Sequence, residues 1–119
     1  QLHYCTAGLP NPFIIGHNYD TDKKLLGRGP ALGLVKDKVY SEQVESIKKG
    51  DRLVFFTDGI TELRSDGERL NLVNLLIRLA RFRSKTPEQI ISLIKERLIE
   101  VAGDKKAGDD ITLLVVDIK

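Results

Sequence analysis

The chain has 119 residues, of which 41% are hydrophobic and 30% charged, the balance of one soluble globular domain and not of a disordered tail. Nineteen basic residues against seventeen acidic ones leave a formal charge of +2, too small an electrostatic footprint for nucleic acid to be the partner. Cys5 is the only cysteine, so no internal disulfide forms, no Cys/His spacing suits zinc, and a reducing, cytoplasmic setting is expected. The longest apolar runs fall far short of the ~20 residues that span a bilayer, and no membrane contact is expected from this segment. Strand-like sequence begins at once after Gln1, which leads us to expect a piece of a longer protein.

In chain order, residues 3–7 and 13–15 are short and rich in aromatic or β-branched residues, with the breaker run Gly8-Leu9-Pro10-Asn11-Pro12 between them. They read as a hairpin-like pair. A polar, glycine-containing stretch follows to Pro30, then a short apolar segment over 31–34 and an alternating one over 39–47. Lys48-Lys49-Gly50-Asp51 is a turn signal, and Leu53-Val54-Phe55-Phe56 after it is the continuous apolar run of a strand covered on both faces.

Two helices are predicted next, each with the spacing of a capping box: Ser65 with Glu68, and Thr86 with Gln89. The first is expected over about 68–82, with Leu72, Val73, Leu76, Leu79 and Ala80 on one face. The second is expected over about 87–102, with Pro87 at its first position, Ile90, Ile91, Ile94, Leu98 and Val101 on one face, and Gly103 as its stop. Arg78, Arg81, Arg83 and Lys85 gather near the end of the first helix, where favourable interaction with the helix dipole and solvation of an outer face are the plain reading and docking of an acidic partner protein the sharper one. Residues 111–118 close the chain as another apolar strand.

Two aspartates stand where chemistry is expected. Asp58 lies just past the end of the 53–56 strand, and Asp109 just before the start of the last one. If those strands are antiparallel neighbours, both carboxylates fall at one edge of the sheet, and a hard divalent cation such as Mg²⁺ or Mn²⁺ is the usual reason for bringing two such charges together. An Asp-Gly pair beside a strand end is also an ordinary turn, and Asp110, second in its pair, reads as a turn former or a hydrogen-bond acceptor behind the ligands.

The stretch Gly50-Asp51-Arg52-Leu53-Val54-Phe55-Phe56-Thr57-Asp58-Gly59-Ile60-Thr61-Glu62 resembles the GD-x-L, TDG signature of SpoIIE/RsbU-type phosphatases. Gly108-Asp109-Asp110-Ile111-Thr112 resembles their closing DDIT motif. Tyr4-Cys5-Thr6-Ala7-Gly8 and Pro30-Ala31-Leu32-Gly33-Leu34 resemble two further landmarks, in the right order, so the similarity runs through nearly the whole chain.

The resemblance implies an α+β layered fold: part of an α-β-β-α sandwich of the protein phosphatase 2C-like superfamily, with antiparallel sheets and two long helices on one side. It implies residues 1–119 as the C-terminal portion of one bacterial phosphatase domain whose N-terminal half lies outside the chain. Asp58 and Asp109 become catalytic metal ligands for one of two Mn²⁺ or Mg²⁺ ions, with Asp110 and Gly59 supporting them. A metal-activated water would attack phosphoserine or phosphothreonine on a phosphorylated regulatory protein such as an anti-sigma-factor antagonist.

The family's D-x-x-GHG aspartate, which bridges both metals, has no counterpart. Gly16-His17 lacks the aspartate three positions ahead and reads as loop. Leu9 replaces the hairpin histidine, and Leu70-Asn71 replaces the usual Phe-Gly pair. The isolated chain is therefore expected to be inactive, and its open sheet edges to favour a homodimer. The alternative is a degenerate, non-enzymatic interaction module.

Overall fold

The computed structural model describes residues 1–18, 21–62, 64–65, 68–69, 74, 77–78, 80–102 and 110–119. Its centre is a four-stranded antiparallel sheet ordered β3-β2-β5-β8, built from β2 (Phe13–Ile15), β3 (Lys23–Lys24), β5 (Arg52–Phe56) and β8 (Leu113–Asp117). A separate pair joins β1 (Leu2–Tyr4) to β4 (Gln43–Glu45). The longest described helix is α2 (Pro87–Ala102), and α1 (Gly59–Glu62) is a single turn directly after the central strand.

Strand alternation explains the layering. On one face of the sheet, Ile15, Val54, Phe56 and Val115 pack with Ile60, Ala80 and the α2 residues Ile90 and Ile94. On the other, Ile14, Leu25 and Leu53 meet Leu2, Tyr4, Ile47, Phe55 and Val116, so the small β1–β4 sheet covers the second face. Successive residues of β5 thus serve opposite layers, as the apolar run requires. Each fully buried side chain of this size contributes about 1.5–3 kcal/mol. Phe13 and Phe56 stack with ring centres 6.1 Å apart. Lys23 on β3 reaches Glu45 on β4 at 2.6 Å, bridging the two sheets, and its hydrogen bond holds the Glu45 carboxyl below the ordinary carboxylate range.

The capping box before α2 forms as expected. The Thr86 backbone N–H donates to Gln89 Oε1 at 3.0 Å, and the Gln89 N–H donates to Thr86 Oγ1 at 3.4 Å. Thr86→Ala is expected to cost about 1 kcal/mol, read as a lower urea midpoint with an unchanged denaturant slope. The Lys48–Asp51 turn also forms. Gly50 takes a φ of 90°, a region glycine enters without penalty. Buried Asp51 accepts the backbone N–H groups of Lys48 at 2.7 Å and His17 at 2.8 Å, so His17 sits in the loop expected of it.

Three expectations are corrected. Residues 3–7 and 13–15 do not pair with each other: β1 joins β4, while β2 joins β3 and β5. The intervening Gly8–Pro12 run carries the chain from one sheet to the other, and the Gly8 N–H bonds to the carbonyl of Gly29 instead of closing a hairpin. The helix expected from position 68 does not start there. Arg64–Ser65 (β6) and Glu68–Arg69 (β7) form a two-stranded ladder with Ser65 opposite Glu68. The pair between them in the sequence is Asp-Gly, the dipeptide favoured in tight hairpin connections, and that signal outweighs the capping-box spacing. Consequently two long helices on one side are not found: among the described residues α2 is the one long helix, while Asn74, Ile77, Arg78 and Ala80 are helical positions ahead of it. Leu72, Val73, Leu76, Leu79 and Gly103 lie outside the described residues.

Sequence reasoning passed over Arg52. Its side chain is buried in β5 and forms a two-pronged pair with Asp117 of β8, with Nη2 donating to Oδ2 at 2.8 Å. The same guanidinium donates to the carbonyls of Ala80 at 3.1 Å, Phe82 at 3.3 Å and Lys85 at 2.9 Å. It fastens the segment that leads into α2 to the end of the sheet opposite Asp58. Arg81 adds a second tie, through Asp22 at 2.7 Å.

Candidate active site

β5 and β8 are antiparallel neighbours, in register from Arg52 opposite Asp117 to Phe56 opposite Leu113. The spatial condition on which the two aspartates depend is therefore met at the level of the strands: the end of β5 and the beginning of β8 share one edge. The pairing carries on past the last strand residues. The Thr57 N–H donates to the Thr112 carbonyl at 3.1 Å, the Thr112 N–H donates to Thr57 Oγ1 at 2.9 Å, and the Thr57 hydroxyl donates to the Asp110 carbonyl at 3.2 Å.

Asp58 stands on the turn between Thr57 and α1 and is exposed, as is Asp110 across from it. Both are engaged in interactions of their own. Gly59 makes the approach of the two loops possible: a Cβ there would lie 2.5 Å from the Asp110 carbonyl oxygen and 3.2 Å from Ile111 Cγ1. Gly59→Ala is expected to force the loops apart and to destabilise the chain by about 1–3 kcal/mol, the usual cost of overpacking. A melting temperature within a degree of the parent's would contradict this. Asp109 lies outside the described residues, immediately before Asp110 in the sequence.

The donors suit a hard divalent cation in kind, since such ions take oxygen ligands, carboxylates foremost. The close seating of the loops permitted by Gly59 suits it too. Asp58 would supply a carboxylate from the first loop and Asp109 one from the second. Among the described residues no group of three His, Cys, Asp or Glu side chains gathers to hold a metal. Among the described residues no helix is long and apolar enough to cross a membrane.

A layered antiparallel α+β fold with acidic loops converging beside the central strand is the arrangement of a PP2C-type phosphatase domain. The family model described as Stage II sporulation protein E (SpoIIE) matches residues 1–119, and the chain belongs to that family. It is 28% identical over 116 residues to phosphoserine phosphatase RsbU of Bacillus subtilis (strain 168), covering 98% of this chain and 34% of RsbU. A structure of the PP2C phosphatase domain of SpoIIE from Bacillus subtilis, with a fragment of its regulatory domain, superposes with a TM-score of 0.71 at 26% identity. That match covers 98% of this chain and 33% of that one. The SiaA PP2C domain of Pseudomonas aeruginosa gives a TM-score of 0.75 at 21% identity, over 98% of this chain and 46% of that one, a likeness of fold. The chain thus spans about a third of the length of RsbU.

Proposed function

We propose that this chain is the C-terminal portion of a metal-dependent serine/threonine protein phosphatase domain, with Asp58 and Asp109 as ligands of one Mn²⁺ or Mg²⁺ ion of a pair. The substrate is a phosphoserine or phosphothreonine on a regulatory protein of the anti-sigma-factor-antagonist kind. One observation carries the reading: the hydroxyl of Thr57 ties the loop bearing Asp58 to Asp110 and Thr112, and Asp110 is the residue after Asp109 in the sequence. When bound there, the cations supply a nucleophilic water at neutral pH and neutralise charge on the phosphoryl oxygens. The chain's own residues hold the carboxylate-bearing loops together and present them to solvent beside the rigid central strand.

A further observation supports the partial-domain reading. Leu9, Leu32, Leu34 and Val39 are exposed at 61%, 76%, 75% and 83%. Large apolar side chains left this open suit a surface that the rest of the domain covers in the working protein. The second reading, a non-enzymatic phosphatase-like module, draws on the missing D-x-x-GHG counterpart in this sequence.

Turnover of a phosphoserine peptide and of p-nitrophenyl phosphate with millimolar Mn²⁺ separates the two. The protein carrying its upstream half is expected to hydrolyse both and to stop on chelation, whereas residues 1–119 alone remain silent for lack of the bridging carboxylate. A rate from residues 1–119 that vanished in Asp58→Asn would show the site to be sufficient by itself. Silence from the longer protein would favour the module.

A further inference from the structure

We infer that Thr57 is a positioning residue for the cation site: its hydroxyl fixes the spacing between the Asp58 loop and the segment from Asp110 to Thr112, and cation affinity depends on that spacing. The inference rests on the metal-site reading proposed above and extends it to a residue whose hydroxyl already makes two hydrogen bonds to the facing loop.

Thr57 is the last point at which β5 and β8 hold each other. Beyond Phe56 and Leu113 the described pairing continues through Thr57, by its backbone N–H and by its side chain. Its Oγ1 accepts from the Thr112 N–H at 2.9 Å and donates to the Asp110 carbonyl at 3.2 Å, so a single hydroxyl holds both a donor and an acceptor of the facing loop. Its backbone N–H takes the Thr112 carbonyl at 3.1 Å. The backbone hydrogen bond survives loss of the side-chain hydroxyl; the two through the hydroxyl do not. Without them the segment from Asp110 to Thr112 loses two of the hydrogen bonds that hold it to β5. A cation shared by the two loops would then have to order the second loop as it binds, and that ordering cost appears as weaker affinity. Residues that orient metal ligands are worth 10–100-fold in affinity in general.

Two substitutions separate hydroxyl from shape. Thr57→Val keeps the volume and branching and removes the hydroxyl; Thr57→Ser keeps the hydroxyl and removes the methyl. Two readouts apply: the Mn²⁺ concentration that half-broadens the Asp58 and Gly59 amide signals, and the hydrogen-exchange rate of the Thr112 amide. Thr57→Val is expected to raise the half-broadening concentration about 10-fold and to speed Thr112 exchange by a similar factor, with Thr57→Ser close to the parent in both. Thr86→Ala, a comparable loss of stability at the far end of α2, serves as the control and is expected to leave the Mn²⁺ titration unchanged.

If Asp58→Asn abolishes the Mn²⁺ effect and Thr57→Val leaves it unaltered, the positioning role is wrong and the metal site stands. If neither changes it, both fall. If Thr57→Ser behaves like Thr57→Val, the methyl packing and not the hydroxyl is what matters, and the inference is overturned.

Discussion

Asp58→Asn is expected to lower Mn²⁺-dependent phosphatase turnover of the upstream-extended protein by at least about 100-fold, because even residues that only orient metal ligands are worth 10–100-fold. The substitution keeps size and polarity and removes the charge that the cation needs. Asp58 is exposed on a turn outside the core but has interactions of its own, so stability without metal should change by no more than about 1.5 kcal/mol, the scale of one hydrogen bond. What should disappear is the rise in melting temperature that Mn²⁺ gives the parent, since a ligand that binds only the folded state stabilises by mass action. Asp109→Asn is expected to behave alike, and the double variant little worse than either, because two ligands of one ion act as a unit. Asp110→Asn is expected to fall much less. A drop of under about 5-fold in Asp58→Asn, set against the 10–100-fold scale above, would remove the metal role from this residue.

The largest effect on stability is expected at the other end of the same strand. Arg52→Met should destabilise the chain by about 2–3 kcal/mol, less than the removal of one partner from a fully buried ion pair, because Arg52 is buried while the Asp117 side chain is 32% exposed. It would leave the Asp117 carboxylate and the carbonyls of Ala80, Phe82 and Lys85 without the donor that now serves all four. Such a loss is a large part of the total stability of a domain, so the variant is best followed by urea unfolding at low temperature. Replacing both partners, as Arg52→Met with Asp117→Leu, should recover part of the loss, since an apolar pair leaves no buried charge behind. A single-variant cost below about 1 kcal/mol, the range of exposed ion pairs, would mean that this pair behaves as a surface one.

How far the sequence could be read depended on the range of the interaction concerned. The 53–56 strand was legible because its burial on both faces leaves a continuous apolar run, and α2 because its capping box and apolar face agree. Both are local signals. The partnership of β1 with β4 was not legible, because some forty residues separate Leu2 from Glu45 and nothing in either segment names the other. Ser65 and Glu68 showed a different kind of failure: one spacing fits a capping box and a two-residue hairpin equally, and only the intervening Asp-Gly tips the choice.

At the site, the shared edge of β5 and β8 followed from placing Asp58 after one strand and Asp109 before another, once the strands were taken as antiparallel. The side chain that joins the loops, Thr57, was part of the quoted TDG stretch but gave no sign of its work, since a threonine beside a strand end is common and its two partners lie more than fifty positions away. Arg52 was hidden for a related reason. An arginine at a strand's first residue reads as a solvent-facing charge until Asp117, 65 positions on, is seen beside it.

Nuclear magnetic resonance of the 119-residue chain during a Mn²⁺ titration bears most directly on the claim that the two loops hold one cation. A bound paramagnetic ion broadens the amide signals nearest to it. The signals of Thr57, Asp58 and Gly59 should fade together with those of Asp110, Ile111 and Thr112, at the lowest Mn²⁺ concentrations and with one common midpoint, and Asp58→Asn should shift both sets at once. Fading confined to one of the two loops, or starting at the Gly50 end of the sheet, would contradict it.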